Sequence, residues 1–371
     1  MGTNQTLWRP LADSNMINGK MDYNCSLVTD GTPCSPDASL AKFRFTKGKT
    51  HRLRLINSGA AALQHFQIDG HNMTVIANDF VALKPYSTNV VTLGVGQRTD
   101  VIVEANGKSD GAYWMRTNVS DFCAFSYQPE AKAAIYYEDA DTTIPPNSSP
   151  WPRDNATYGN CGNNDLSLTV PAYPISAVAE PDVTLHLEFN RTVNATGHQV
   201  WTVNGTGMRG NYNYPILKLA NEGNDSYVDD PQWLTFNMGS NTTVRIVMYE
   251  ASGAGDHPMH LHGHDMFVLA DGRNGRWDGT TITNIDNPQR RDTHQLQRGG
   301  HAVIQYTQDN PGTWPFHCHI AWHLSTGFFM TFIERPDDIL NLVIPQTIDD
   351  QCSSWDAYSS RNIVDQIDSG V

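Results

Sequence analysis

Two short segments concentrate the chemistry of this chain. They are His257-Pro-Met-His260-Leu-His262-Gly-His264 and His317-Cys318-His319-Ile-Ala-Trp-His323. Together they hold seven of the fourteen histidines, with one cysteine embedded among them. In a strand, side chains two apart share a face and neighbours point opposite ways. His260 and His262 can therefore aim at one point, and His317 and His319 aim together while Cys318 aims the other way. Five residues beyond Cys318, His323 can return to the thiolate after a turn. A Cys-x4-His pair, here Cys318 and His323, plus a distant His makes up the two imidazoles and one thiolate of a blue-copper site. The paired His-x-His segments on the opposite face would serve a second metal centre. Zinc is the rival metal, but closed structural zinc sites prefer four cysteines, or two cysteines with two histidines. One cysteine with six or more histidines suits copper better.

The spacing also speaks to the axial position. Where blue-copper sites carry an axial Met, it lies five positions beyond the second His. Here that position is Phe328, and the nearest Met, Met330, comes two residues late. Two positions along a strand shift a side chain by roughly 6–7 Å, too far for a bond. The reading is a three-coordinate copper with an apolar ring at Phe328, and hence a high potential, since losing a donor favours the lower charge.

Strands must position these groups. Leu53 and Leu55 alternate within Lys49–Leu55, and Val101 and Val103 within Thr99–Glu104. Val183, Leu185, Leu187 and Phe189 alternate cleanly, as do Val244, Ile246 and Met248. Turn residues punctuate these runs, and no long segment carries a helical apolar stripe. The pattern predicts an all-β protein of sandwich or barrel domains. A length of 371 residues suggests two domains. The best boundary is Asp139–Asn164, rich in Pro, Asn, Ser and Asp. The expected division is a first domain over 1–145, a linker over 146–165 and a second domain over 166–371.

Composition excludes other classes. The formal net charge of −14 repels phosphate backbones, which argues against nucleic-acid binding. The longest run free of charged residues, Asn310–Ile333, contains three His, a Cys and two Pro, so no membrane span is expected. Eleven Asn-x-Ser/Thr sequons, starting at Asn4, Asn24, Asn72, Asn118, Asn147, Asn155, Asn190, Asn194, Asn204, Asn224 and Asn241, suggest a secreted, extracellular glycoprotein. Met1–Pro10 lacks the apolar core of a signal peptide, so the true N-terminus is expected upstream of Met1.

His257–His264 and His317–His323 closely resemble the third and fourth copper signatures of the multicopper oxidases. The flanking Trp314-Pro315-Phe316, the ending Asp368-Ser-Gly-Val371 and the central Phe66–Ile76 narrow the resemblance to ascomycete fungal laccases. It covers essentially the whole chain and implies cupredoxin-like Greek-key domains. It implies that His257, Cys318 and His323 bind type 1 copper, that His260 binds type 2 copper, and that His262, His317 and His319 bind the type 3 pair. His264 belongs to the motif without being a ligand. The implied reaction is one-electron oxidation of phenols at type 1 copper, coupled to four-electron reduction of O2 to water. By the same resemblance His323 faces the substrate, Trp322 walls the phenol pocket and Asp79 accepts the phenolic proton. Asp368 would enter toward the cluster as part of a C-terminal plug and relay protons.

One departure is large. Laccases have three cupredoxin domains, and the first supplies two further His-x-His pairs. His51, His65, His71, His186, His198, His294 and His301 form no such pair. The chain offers four of eight trinuclear-cluster ligands and looks like the second and third domains without the first. The cysteines agree: Cys25 with Cys34 is a plausible local disulfide, and Cys123 with Cys161 resembles a family bridge. Cys352 is left over, its partner implied in the absent domain. Two alternatives stay open: a non-catalytic copper-binding or electron-transfer protein, and another multicopper oxidase such as ascorbate or bilirubin oxidase.

Overall fold

Nearly every run that alternates in the sequence is a strand with its apolar side chains turned inward. A computed structural model describes residues 12, 14–35, 38–120, 123–159, 161–211, 213–224 and 233–362. They fall into two units, residues 2–174 and 175–371.

The first unit holds β1 (Ala41–Arg44), β2 (Thr50–Ile56), β3 (Gln64–Ile68), β4 (Met73–Asn78), β5 (Val81–Thr88), β6 (Val91–Leu93), β7 (Arg98–Glu104), β8 (Ala112–Val119) and β9 (Glu130–Tyr136), then the short α1 (Asn155–Tyr158). A five-stranded sheet, β1-β9-β8-β3-β6, faces a four-stranded one, β2-β7-β4-β5. Ile68, Met115 and Ile135 of one sheet pack with Val75, Val101 and Val103 of the other. All pairings are antiparallel except β1 with β9.

The expected linker, 146–165, belongs to this unit. Ser148 Oγ donates to Asp69 at 2.7 Å, and the Trp151 backbone N–H donates to Gln67 at 2.9 Å. Cys123 and Cys161 are disulfide-bonded, as are Cys25 and Cys34. The segment looked like a linker because it is poor in apolar residues, yet its polar groups satisfy buried partners. Asp69 is fully buried and also binds Arg116 at 2.9 Å, a pair whose one-sided removal costs about 3–5 kcal/mol. The sequon at Asn118 needs correction as an acceptor: the residue is 2% exposed on β8 and its side-chain oxygen accepts from Arg153.

The second unit holds β10 (Val183–Val193), β11 (Gln199–Val203), α2 (Ile216–Asn221), β12 (Thr235–Asn237), β13 (Thr243–Glu250), β14 (His257–Leu261), β15 (Met266–Gly272), β16 (Gln289–Arg291), β17 (Thr293–Leu296), β18 (His301–Thr307), β19 (Gly312–Cys318), α3 (Ala321–Leu324), β20 (Phe329–Glu334), α4 (Pro336–Ile339) and α5 (Gln346–Ser359). A six-stranded sheet, β11-β10-β13-β18-β15-β16, faces a five-stranded one, β12-β20-β19-β14-β17. Phe189 meets Phe328, and Tyr306 stacks on Phe332, between the two. The central β13 is buried on both faces, so Arg245, opposite the Val244–Ile246–Met248 stripe, is buried too and binds Gln305. No helix among the described residues is long and apolar enough to cross a membrane.

Candidate metal centre

The register of three strands builds the site. β14 lies between β19 and β17, with Met259 opposite Cys318 and His260 opposite His317. Period-two alternation then puts His257, Met259 and Cys318 on one face, and His260 and His317 on the other. Cys318 ends β19, and the chain turns through α3 to return His323 to it.

On the first face three donor atoms converge. Cys318 Sγ lies 3.7 Å from His257 Nδ1 and 3.6 Å from His323 Nδ1, and the two nitrogens are 3.2 Å apart. Ligands about 2.0–2.3 Å from a common metal stand roughly 3.5–3.8 Å apart in a trigonal plane, so the triad fits one ion. His257 and Cys318 are fully buried, whereas His323 is half-buried. Burial pushes the Cys318 thiol up. Burial, followed by the charges of His323 and Arg191, holds His257 well below its ordinary value. A bound cation supplies the charge that a buried thiolate needs.

Around the triad the packing is aromatic. Phe328 is fully buried with its ring 4.9 Å from that of His257. Trp201 on β11 is 3% exposed, and its indole lies 4.6 Å from the His257 ring, 4.8 Å from that of His323 and 4.9 Å from Phe328. Trp201 touches both imidazoles and was missed in the sequence reading. Its only local signal is an aromatic residue in an apolar stretch, common in any core. Trp322 sits half-buried on α3 beside His323.

On the other face four imidazoles gather. His262 Nε2 lies 3.0 Å from His317 Nε2. The ring of His260 is 4.7 Å from His262, 5.5 Å from His317 and 5.6 Å from His319. Nδ1 of His260 is held by the Asp292 carbonyl at 2.9 Å and Thr293 Oγ1 at 3.0 Å, which leaves Nε2 for a metal. Burial first, and then the charges of His260 and His319, lower His262 to about 4. Burial likewise lowers His317 to about 3. Both rings are neutral at pH 7, the form a metal requires.

A pH dependence follows. Histidines of the unfolded chain take up protons near 6.5, while the folded rings resist until about 4 and about 3. As pH falls through this window the unfolded state gains protons that the native state refuses, so stability drops. The denaturation midpoint of the metal-free chain is expected to fall between pH 7 and pH 4 more steeply than that of a His262→Phe, His317→Phe variant. Equal slopes in urea titrations would contradict the assignment.

His264 is nearly buried. Burial, the largest influence, would lower it, but Glu334 and the His262 carbonyl outweigh this and raise it. His264, Asp309 and Glu334 bring their polar atoms within 4.8 Å of one another.

Other expected site residues lie elsewhere. Asp79 belongs to the first unit, in the β4–β5 turn at φ +51°, with its side chain fully buried. It accepts the Arg98 backbone N–H at 2.9 Å and pairs with the Arg98 guanidinium at 3.4 Å. A carboxylate held in this way braces its turn. Asp368 and the rest of the tail expected to form a plug lie outside the described residues. Cys352 carries a free thiol, half-buried on α5.

Known proteins share this architecture. Oxidoreductase OpS5 of Beauveria bassiana is 35% identical over 98% of this chain and 61% of its own length. Laccase-2 of Botryotinia fuckeliana is 33% identical over 98% of this chain and 62% of its own. The chain thus spans about three fifths of these relatives. The crystal structure of laccase from Botrytis aclada superposes with a TM-score of 0.86 at 29% identity, covering 98% of this chain and 66% of that one. Two family models described as multicopper oxidase match residues 1–139 and 191–338. With copper-type donors on both faces of β14 and β19, and matches to both halves, the chain belongs to the multicopper oxidase family.

Proposed function

We propose that the chain is the catalytic copper-binding part of a secreted laccase-type oxidase that removes single electrons from phenols and passes them to O2. One observation carries the reading: the β14–β19 register sets a two-histidine, one-cysteine triad back to back with four histidines. His257, Cys318 and His323 would hold a copper able to supply one-electron oxidation, and His260, His262, His317 and His319 would hold copper that contributes to reduction of O2.

The protein's own residues do the rest. Cys318 lies between His317 and His319 in sequence, so an electron can leave the triad through covalent bonds alone. Trp201 and Phe328 exclude water from the buried side of the triad. His323, less buried than His257, offers the ring edge at which a phenol would dock, with Trp322 beside it. The remaining cluster ligands, and a partner for Cys352, would come from a further cupredoxin domain. Secretion fits the two disulfides.

The test is copper loading of the purified chain, followed by anaerobic addition of a phenol. One copper with an intense visible band, bleached by the phenol, supports the reading. Copper bound without that band overturns it.

Phe328 sets a further expectation. A thioether at this position adds a donor that favours the oxidised metal. Phe328→Met is expected to lower the potential of the triad by roughly 60 mV, a tenfold change for one electron. A potential that is unchanged or higher in a spectroelectrochemical titration would show that position 328 is not axial.

A further inference from the structure

We propose that His264 and Glu334 are positioning residues, which with Asn310 close a ring of contacts that aims the His262 imidazole at His317. The inference rests on the reading of the four histidines as metal ligands and deepens it.

His262 needs such support because β14 ends one residue earlier, at Leu261. His257 and His260 lie within the ladder and are paired to β17 on one side. Past the end of the strand, the backbone N–H of His262 still reaches the Pro315 carbonyl at 3.0 Å. The chain then turns at Gly263, where φ is +75°. The direction of the next carbonyl, and of the ring it carries, depends on what holds that turn.

The ring of contacts holds it from two sides. His264 Nδ1 donates to the His262 carbonyl at 3.1 Å. His264 Nε2 lies 2.9 Å from Glu334 Oε2, an ionic contact rather than an aligned hydrogen bond, with the side chains 4% and 1% exposed. The other Glu334 oxygen accepts the Asn310 backbone N–H at 2.9 Å. The Asn310 side-chain amide then donates to the Gly263 carbonyl at 3.1 Å, closing the circuit. Two successive carbonyls of the turn are thus tied, by separate routes, to one carboxylate at the end of β20.

Trp314 fixes the circuit from outside. Its Nε1 donates to the Asn310 carbonyl at 2.7 Å, and its ring would lie 2.7 Å from a Cβ at residue 263. Only glycine fits there, so the turn has no side chain of its own to hold it in place. A buried ion pair is costly unless both partners are present, and removing one loosens what the other holds. With His262 and His317 nitrogens 3.0 Å apart, a tilt of the turn separates two groups that must meet at a metal.

Imidazole 15N–1H correlation spectra of the metal-free chain, labelled with 15N-histidine, test this directly. Glu334→Ala and His264→Ala are expected to shift the His262 and His317 ring signals and leave those of His257 and His323 in place. Glu334→Gln keeps an acceptor for the Asn310 backbone N–H and turns its amide N–H to His264 Nε2, which accepts in the neutral ring protonated at Nδ1, so it is expected to restore the wild-type pattern. In copper(II) titrations the alanine variants should lose at least tenfold in affinity at the four histidines, with the thiolate–copper band unchanged. If the alanine variants fail to fold, Asn310→Ala, which cuts one exposed link, should give the same pattern at smaller amplitude. Unmoved His262 signals, or equal movement of both histidine sets, would overturn the proposal. If wild-type chain binds no copper at the four histidines while the spectra change as stated, the ligand reading fails and the positioning role stands.

Discussion

A chain carrying Cys318→Ser is expected to bind copper only at its histidine cluster and to remain colourless. The thiolate is the one strongly donating ligand of the triad, and its charge-transfer band is what makes such a site visible. Burial pushes the Cys318 thiol up, so in the metal-free chain it stays protonated. The metal must displace that proton, and it can do so from sulfur far more readily than from a serine hydroxyl. The substitution leaves the frame intact. The Cys318 backbone N–H still reaches the Phe328 carbonyl, and the residue still lies opposite Met259. Native strand content, retained copper at the four histidines and no visible band is the expected outcome. A coloured serine variant would place the chromophore elsewhere.

The second large effect concerns turnover. The copper-loaded chain alone is expected to show no sustained O2 uptake with a phenol donor above that of free copper. Among the described residues only His260, His262, His317 and His319 gather on that face. Of the others, His65 is engaged with Thr92, His71 with Tyr137, His294 with Asp271 and His301 with the Gly275 carbonyl. Four-electron reduction of O2 in the proposed enzyme calls for twice that number of ligands. The phenol should therefore bleach the visible band once, and the rate should stop there. Oxygen-electrode traces on a monomeric preparation check this; steady turnover would show that four histidines suffice, or that copies of the chain complete one another.

The sheet pattern and the gathering of both groups of side chains were legible in the sequence because they depend on local periodicity. His260 and His262 share a face whatever pairs with them, and Cys318 must oppose its neighbours. What escaped depends on long-range register. Trp201 reaches His257 and His323 only because β10 and β11 pack over the turn after β19, across more than fifty residues of sequence. Asp292 supports His260 through its backbone carbonyl, which no side-chain pattern reveals. Residues 146–165 read as a linker because their stabilising groups are polar and their partners, Gln67 and Asp69, lie about eighty positions away. That Arg98 closes over Asp79 is hidden in the same way, because nothing nearby in sequence shows it.

The central claim is that His257, Cys318 and His323 hold one copper between them. X-ray absorption at the copper edge, on chain loaded with a single equivalent, tests it most directly. One sulfur at about 2.3 Å with two nitrogens at about 2.0 Å, and no second sulfur, is the coordination the triad predicts. A first shell of nitrogen and oxygen alone, with no sulfur at about 2.3 Å, would contradict it.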